Sequence, residues 1–183
     1  RYFSYVHMST LTHDIFNNVG FADLPYHQFF ESLFNSGYHQ NSVIISFSDH
    51  AIRFGSAVDT DSNVHESKLP YLHIYIPDSF VLDGKNADEI RRILIENSRK
   101  LTSHFDIHAT LRHILYGKEP VDEKYGVSLF TSISKKRTCS DAGILPQYCM
   151  CNSYEKLHLS QSIMEQTANF SVNHINNNLL KGV

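Results

Sequence analysis

Ser42-Val43-Ile44-Ile45-Ser46-Phe47 is the stretch on which the fold reading turns. The run is almost continuously apolar and rich in β-branched side chains, so it offers no polar face to water. Such a strand suits burial on both sides, which predicts an interior position in a parallel sheet. Leu69–Ile76 (LPYLHIYI), bounded by Pro77, reads as its parallel partner, and residues 51–68 between the two read as an irregular polar loop long enough to be functional. Further upstream, Tyr2–Met8 alternates weakly and predicts another strand. Asp23 is placed to cap a helix that opens with Leu24-Pro25, carries Phe29, Phe30, Leu33 and Phe34 on one side, and stops at Gly37. Downstream, Asn86 is placed to cap a helix from Ala87 to about Leu101, with Ile90, Ile93, Leu94 and Asn97 at helical spacing. A further helix runs from Asp106 to Gly117 with Leu111, Ile114 and Leu115 on one face. The order strand, helix, strand, loop, strand, helix, helix predicts an α/β fold, a mostly parallel sheet with helices on its faces. Residues 1–117 form the expected α/β core and 118–154 a loop-rich region around three cysteines. Residues 155–183 form a C-terminal helical segment, whose amphipathic stretch carries Ile163, Phe170, Ile175 and Leu179.

Composition bounds the answer. The chain has 183 residues, 42% hydrophobic and 12% aromatic, with 10 Tyr, 12 Phe and no Trp. That is enough apolar side chain for one folded domain and excludes a disordered tail. Sixteen Lys+Arg against 19 Asp+Glu give a net charge of −3, which offers no field for gripping nucleic acid. No apolar run approaches the roughly 18–20 residues that span a bilayer. The opening residues RYFSYVHMST read as neither an initiator Met nor a signal peptide, so the chain is expected to be a piece of a longer protein.

Chemistry concentrates where the central strand ends, in SVIISFSDHAIRFG over residues 42–55. In open α/β sheets, sites form beyond the carboxyl ends of strands. There Asp49 and His50 set a carboxylate beside an imidazole, a pair suited to a divalent metal. The blander reading is a turn whose Asp caps the following backbone. Two adjacent strand residues converge only if the chain bends, and the loop with Arg53 and Gly55 is where that bend is expected.

The same stretch, followed by Thr60, Glu66 and Lys68-Leu69-Pro70-Tyr71, resembles the alkaline phosphatase/sulfatase superfamily, most closely an animal branch known as a domain of unknown function. Collinear support comes from Leu101-Thr102, Phe105-Asp106-Ile107-His108-Ala109-Thr110-Leu111 and Gly126-Val127-Ser128-Leu129-Phe130. Arg137-Thr138-Cys139, Ala142-Gly143-Ile144 and Tyr148-Cys149-Met150-Cys151 continue it, so the resemblance spans about Thr12 to Leu180. It implies part of an alkaline-phosphatase-like domain, in a metal-dependent hydrolase of phosphate or sulfate esters. Asp49 and His50 would be metal ligands, with zinc or calcium as the ion. His13, in Leu11-Thr12-His13-Asp14, matches a stretch that often holds metal or substrate; its plainer reading is a polar loop residue. The family's nucleophile and first metal-binding carboxylate lie upstream of Arg1, so this chain would be a C-terminal portion acting on a small ester or glycan-type substrate.

Three departures from the family stand out: Ala51 where Gly is usual after the Asp-His pair, Asn63 where Gly is usual, and His65 where a Glu tends to stand. They motivate the competing reading, a catalytically inactive binding or structural domain that keeps the fold. His104, His108 and His113 fall on or beside helices and read as solvated or structural. Cys139, Cys149 and Cys151 do not have zinc-ribbon spacing. Cys149 and Cys151 read as soft metal ligands, or the three read as a disulfide site, in which Cys139 pairs with Cys149 or with Cys151 and the third pairs outside this segment. With the sequon Asn169-Phe170-Ser171, an acceptor for N-glycosylation, the cysteines point to an extracellular or secretory-lumen protein, anchored, if at all, through segments outside this chain.

Overall fold

The computed structural model describes residues 2–11, 13, 15–53, 55, 58, 60–151 and 159–179. Thr12, Asp14, Phe54, Leu180 and the boundary expected at 154–155 lie outside the described residues. The chain divides into two compact units, Arg1–Cys151 and Asn152–Val183.

In the first unit, α1 (Asp23–Asn35) is followed by β1 (Ile44–Phe47), α2 (Asp61–Lys68) and β2 (Leu72–Tyr75). The hairpin β3 (Val81–Leu82) and β4 (Lys85–Asn86) leads into α3 (Ala87–Asn97) and α4 (His104–Tyr116). The second unit contains α5 (Gln161–Leu179), within which Asn169 lies.

Among the described residues there is no parallel sheet, and this corrects the expected fold class. The described residues are mostly helical, with two small antiparallel two-stranded sheets, β1–β2 and β3–β4. β1 and β2 run antiparallel with Ile44 opposite Tyr75 and Phe47 opposite Leu72, so Ser42–Phe47 is not an interior strand but one of two edges. The physical reason is that an apolar run records burial on both faces without recording the direction of its partner. Residues opposite one another in an antiparallel pair share a face. The face carrying Ile74 meets the core, with Val43 beside it. On the opposite face, the aromatic side chains of α1 cover Ile44 and Tyr75, the Phe34 and Tyr75 rings meeting edge-to-face at 5.1 Å. Between α1 and that face runs a groove of about 500 Å³.

Local chemistry sets the other elements. Residues 2–9 join no strand, because Tyr2, Phe3, Tyr5 and Val6 are exposed and bury no face against a partner. The expected loop 51–68 contains α2, whose N-cap Thr60 accepts from the Asn63 N–H at 3.2 Å. Asp23 is the first residue of α1 rather than its cap. α3 opens on a reciprocal capping box, Asn86 accepting from Glu89 N–H at 3.0 Å and Glu89 from Asn86 N–H at 2.9 Å. α4 begins two residues before Asp106, which instead accepts from the Ser103 N–H at 2.8 Å. The β3–β4 turn places both Asp83 (φ 50°) and Gly84 (φ 75°) in the left-handed region, as a two-residue type I′ hairpin turn requires.

Ile76, Leu82, Ala87, Ile90 and Phe130 form the central apolar cluster. Phe130 belongs to the loop-rich stretch after α4, which also buries Leu129, Ile133, Ala142 and Cys149. Polar side chains of α3 and α4 hold that stretch in place of a sheet. Asn97 donates to the Leu129 and Thr131 carbonyls at 3.0 and 2.7 Å and accepts from Ile133 N–H at 3.1 Å. Thr110 Oγ1 accepts from Leu129 N–H at 2.8 Å. Asp106, fully buried, accepts from Val127 N–H and from both guanidinium nitrogens of Arg137, each at 2.8 Å. This satisfies backbone groups that have no ladder to join.

Candidate metal centre

The site grows from the end of β1. Ser48 extends the strand pairing by one step: its N–H donates to Tyr71 O and its Oγ accepts from Tyr71 N–H, both at 3.1 Å. The chain then bends at Asp49, which lets two adjacent side chains turn to the same side. Asp49 Oδ1 accepts from the His50 N–H at 2.9 Å, and Asp49 Oδ2 lies 3.3 Å from His50 Nε2. Asp49 is well exposed and His50 half-buried, so the pair is open to solvent.

The other ring nitrogen decides what this contact means. His50 Nδ1 lies 2.7 Å from the Ala51 carbonyl, which can only accept, so Nδ1 carries the hydrogen. In the neutral ring Nε2 then presents a lone pair towards a carboxylate oxygen. Two electron-rich atoms at that distance need a cation between them, either a proton on Nε2 or a metal bound by both. A tetrahedral zinc with ligand bonds of about 2.0–2.1 Å sets its ligand atoms about 3.3–3.4 Å apart, which matches this pair. A backbone carbonyl on Nδ1–H is also the usual orienting partner of a histidine that binds metal through Nε2. The donor chemistry therefore fits two ligands of a metal site.

Partial burial works to raise the Asp49 carboxyl, but the backbone N–H groups of His50 and Asp49 and positive charge on His50 and His7 together outweigh it and hold it below the usual carboxylate range, so this carboxylate is paired with cationic charge whether the cation is a proton on His50 or a metal. His7 was not singled out by the sequence; it comes from the strandless N-terminal segment, where its ring stacks on Tyr5. His104 is a second such residue. It stands at the first position of α4, donates from Nε2 to the Ser48 carbonyl at 2.9 Å and packs against Phe47, so it pins the residue that precedes Asp49. No spacing rule flags a lone histidine 56 positions from the carbonyl it holds.

His13 is exposed, its N–H bonded to Ser9 O at 3.0 Å. Among the described residues neither it nor any other His, Cys, Asp or Glu joins Asp49 and His50 in a cluster of three ligand atoms. The three departures from the family pattern bear little on the pair. Ala51 is not in the left-handed region, so it does not need glycine there, and its carbonyl orients His50. Asn63 sits buried in α2, and His65 bonds the Asp61 carbonyl of its own helix at 2.7 Å. His108 faces Glu123 at 3.4 Å, and His113 is buried against Ser128 Oγ at 2.8 Å.

Cys139 and Cys149 form a disulfide, and Cys151 is a free, exposed thiol. Among the described residues no helix is long and apolar enough to cross a membrane. Residues 1–182 match the family model described as a protein of unknown function, DUF229. Comparison with curated proteins finds no match, and comparison with solved structures finds none either.

Proposed function

The chain is a member of the DUF229 family of proteins of unknown function, and on that footing we propose that it is the metal-binding portion of a hydrolase of phosphate or sulfate esters. The observation that carries this reading is the geometry of the pair: His50 Nδ1 lies 2.7 Å from Ala51 O, which leaves Nε2, 3.3 Å from Asp49 Oδ2, as the ring atom able to share a cation with the carboxylate. The resemblance of the surrounding sequence to sulfatases and phosphatases supplies the reaction class. An imidazole ligand favours zinc over calcium, which prefers all-oxygen shells. When bound, the ion acts as a Lewis acid on an ester oxygen. Asp49 contributes the charge that holds it, His50 the neutral nitrogen, and His104 the anchoring of Ser48 that fixes where both stand. A small or glycan-type ester is the substrate class. The disulfide and the Asn169 sequon support an extracellular or secretory-lumen location.

Calorimetric titration with zinc chloride tests the reading directly. The protein should bind zinc, and His50→Ala and Asp49→Ala should each abolish the heat while far-UV circular dichroism stays unchanged. Zinc heats identical in wild type and both variants would sink the metal assignment and favour an inactive domain that keeps only the fold.

A further inference from the structure

Cys139, Cys149 and Cys151 place their three sulfur atoms within 4.8 Å of one another. Two are joined as a disulfide and the third is an exposed thiol. A thiol held that close to a disulfide is an intramolecular nucleophile, because thiol–disulfide exchange needs only a thiolate with access to one of the sulfurs. We propose that the Cys139–Cys149 disulfide is a resident exchange site, attacked by Cys151 so that the bridge moves to Cys139–Cys151. The Cys151 thiolate forms a bond to Cys139 Sγ, the Cys139–Cys149 bond breaks, and the electron pair leaves on Cys149 Sγ, which takes a proton from water. The proton lost from Cys151 balances it, so no oxidant or reductant is consumed. Attack on Cys139 is preferred to attack on Cys149. A Cys149–Cys151 bridge would close a small strained ring around the single residue Met150, whereas Cys139 approaches from twelve residues upstream of Cys151.

Exchange has a structural consequence. Cys149 is 3% exposed, and its side chain is part of the packing of the loop-rich stretch after α4. Moving the bridge leaves a thiol there and ties the exposed Cys151 down instead. The 3-10 turn Pro146–Tyr148, which lies just inside the present bridge, then sits in a loop closed two residues later.

Met150 stands between Cys149 and Cys151, which makes the two bridges separable. The full chain is incubated without added thiol at pH 8.5 or at pH 4, acid-quenched, treated with maleimide and cleaved after methionine with cyanogen bromide in acid. Residues 151–164 then leave as one peptide. At pH 4 that peptide should emerge free and alkylated on Cys151. After incubation at pH 8.5, a fraction should instead be linked to the fragment holding Cys139 and Cys149, be released by reductant, and stay on the Cys139 piece after chymotryptic cleavage at Tyr148. The exchange rate should rise about tenfold per pH unit while the thiolate is the minor form. Cys151→Ser should abolish the linked species, and Cys149→Ser, oxidised in air beforehand, should hold the Cys139–Cys151 bridge throughout. A peptide that stays free at pH 8.5, a Cys149→Ser protein that leaves Cys151 alkylated, or Cys151 linked only between two molecules would each overturn the proposal.

Discussion

Removing the Arg137 guanidinium should be among the most damaging single changes to this protein. Asp106 is fully buried and the Arg137 side chain is 5% exposed, so both charges have left water. Arg137 donates two bonds to the Asp106 carboxylate at 2.8 Å and one each to the Tyr125 and Leu101 carbonyls at 2.6 and 3.2 Å. In Arg137→Met, Asp106 keeps only its two backbone donors, Ser103 and Val127, and becomes a buried charge without a counter-charge. Breaking a buried pair in this way costs about 3–5 kcal/mol. At roughly 2–4 °C per kcal/mol for a domain of this size, the melting temperature should fall by roughly 6–20 °C. Arg137→Lys keeps a charge but not the fork, and should fall between the two proteins. Asp106→Asn combined with Arg137→Met should cost less than the two single losses added, because the second change removes the charge that the first exposes. Urea unfolding followed by far-UV circular dichroism reads all four. An Arg137→Met loss below about 1 kcal/mol, the range of an exposed ion pair, would refute the claim that this pair holds the segment after α4.

Other expectations are more local. Gly126→Ala should destabilise by about 1–3 kcal/mol, since its Cβ would overlap the Phe105 carbonyl oxygen and lie 3.1 Å from Ala109 Cβ; unchanged urea midpoints would contradict the close approach. Burial pushes His113 below its ordinary pKa against the pull of Asp83. The unfolded chain therefore takes up the proton first as pH falls. His113's contribution is complete above about pH 6.5 and is lost below it, with a slope of at most about 1.4 kcal/mol per pH unit. His113→Gln should flatten that slope between pH 7.5 and 5.5, and equal slopes in both proteins would refute it. His104→Ala should weaken zinc binding about 10–100-fold, as loss of an outer-shell partner does, without altering the melting temperature by more than a degree or two; undiminished affinity would show that Ser48 is held without it.

Helices were legible in the sequence because their signals are local. Asn86, Gly37 and Gly117 sit at or next to helix ends, and the apolar spacing of α1, α3 and α4 follows one face. The positions of β1 and β2 were legible for the same reason, yet their pairing was not, and the strand expected at Tyr2–Met8 is absent. Val43, Ile44 and Ile45 record that both sides are covered, and an α1 aromatic face over one side and the apolar core over the other satisfies that as well as neighbouring parallel strands do. Asp83-Gly84 carried a plain hairpin signal that a search for long strands passes over, because the strands it joins are two residues each. α2 was hidden by its polarity, Val64 being its one apolar residue.

The site divides in the same way. Asp49 and His50 are neighbours in sequence, so a strand-end rule is enough to find them, and the bend that brings their side chains to 3.3 Å is local too. What gives the pair its chemistry is not local in sequence. Ala51 sets the tautomer through its carbonyl, an atom every residue possesses and no motif records. His104 and His7 reach the pair from α4 and from the N-terminal segment, one through a hydrogen bond to Ser48 and the other through its charge alone. The blocks of the family resemblance separate by role in the same way. Asp106, Val127 and Arg137 lie in blocks that carry the family resemblance, yet here they bond to one another and hold the loop-rich stretch in place. A block can therefore carry a family resemblance because it builds the scaffold. The block that contains Asp49 and His50 places a carboxylate and an imidazole 3.3 Å apart and open to solvent. That is why the functional reading rests on those two residues rather than on the length of the match.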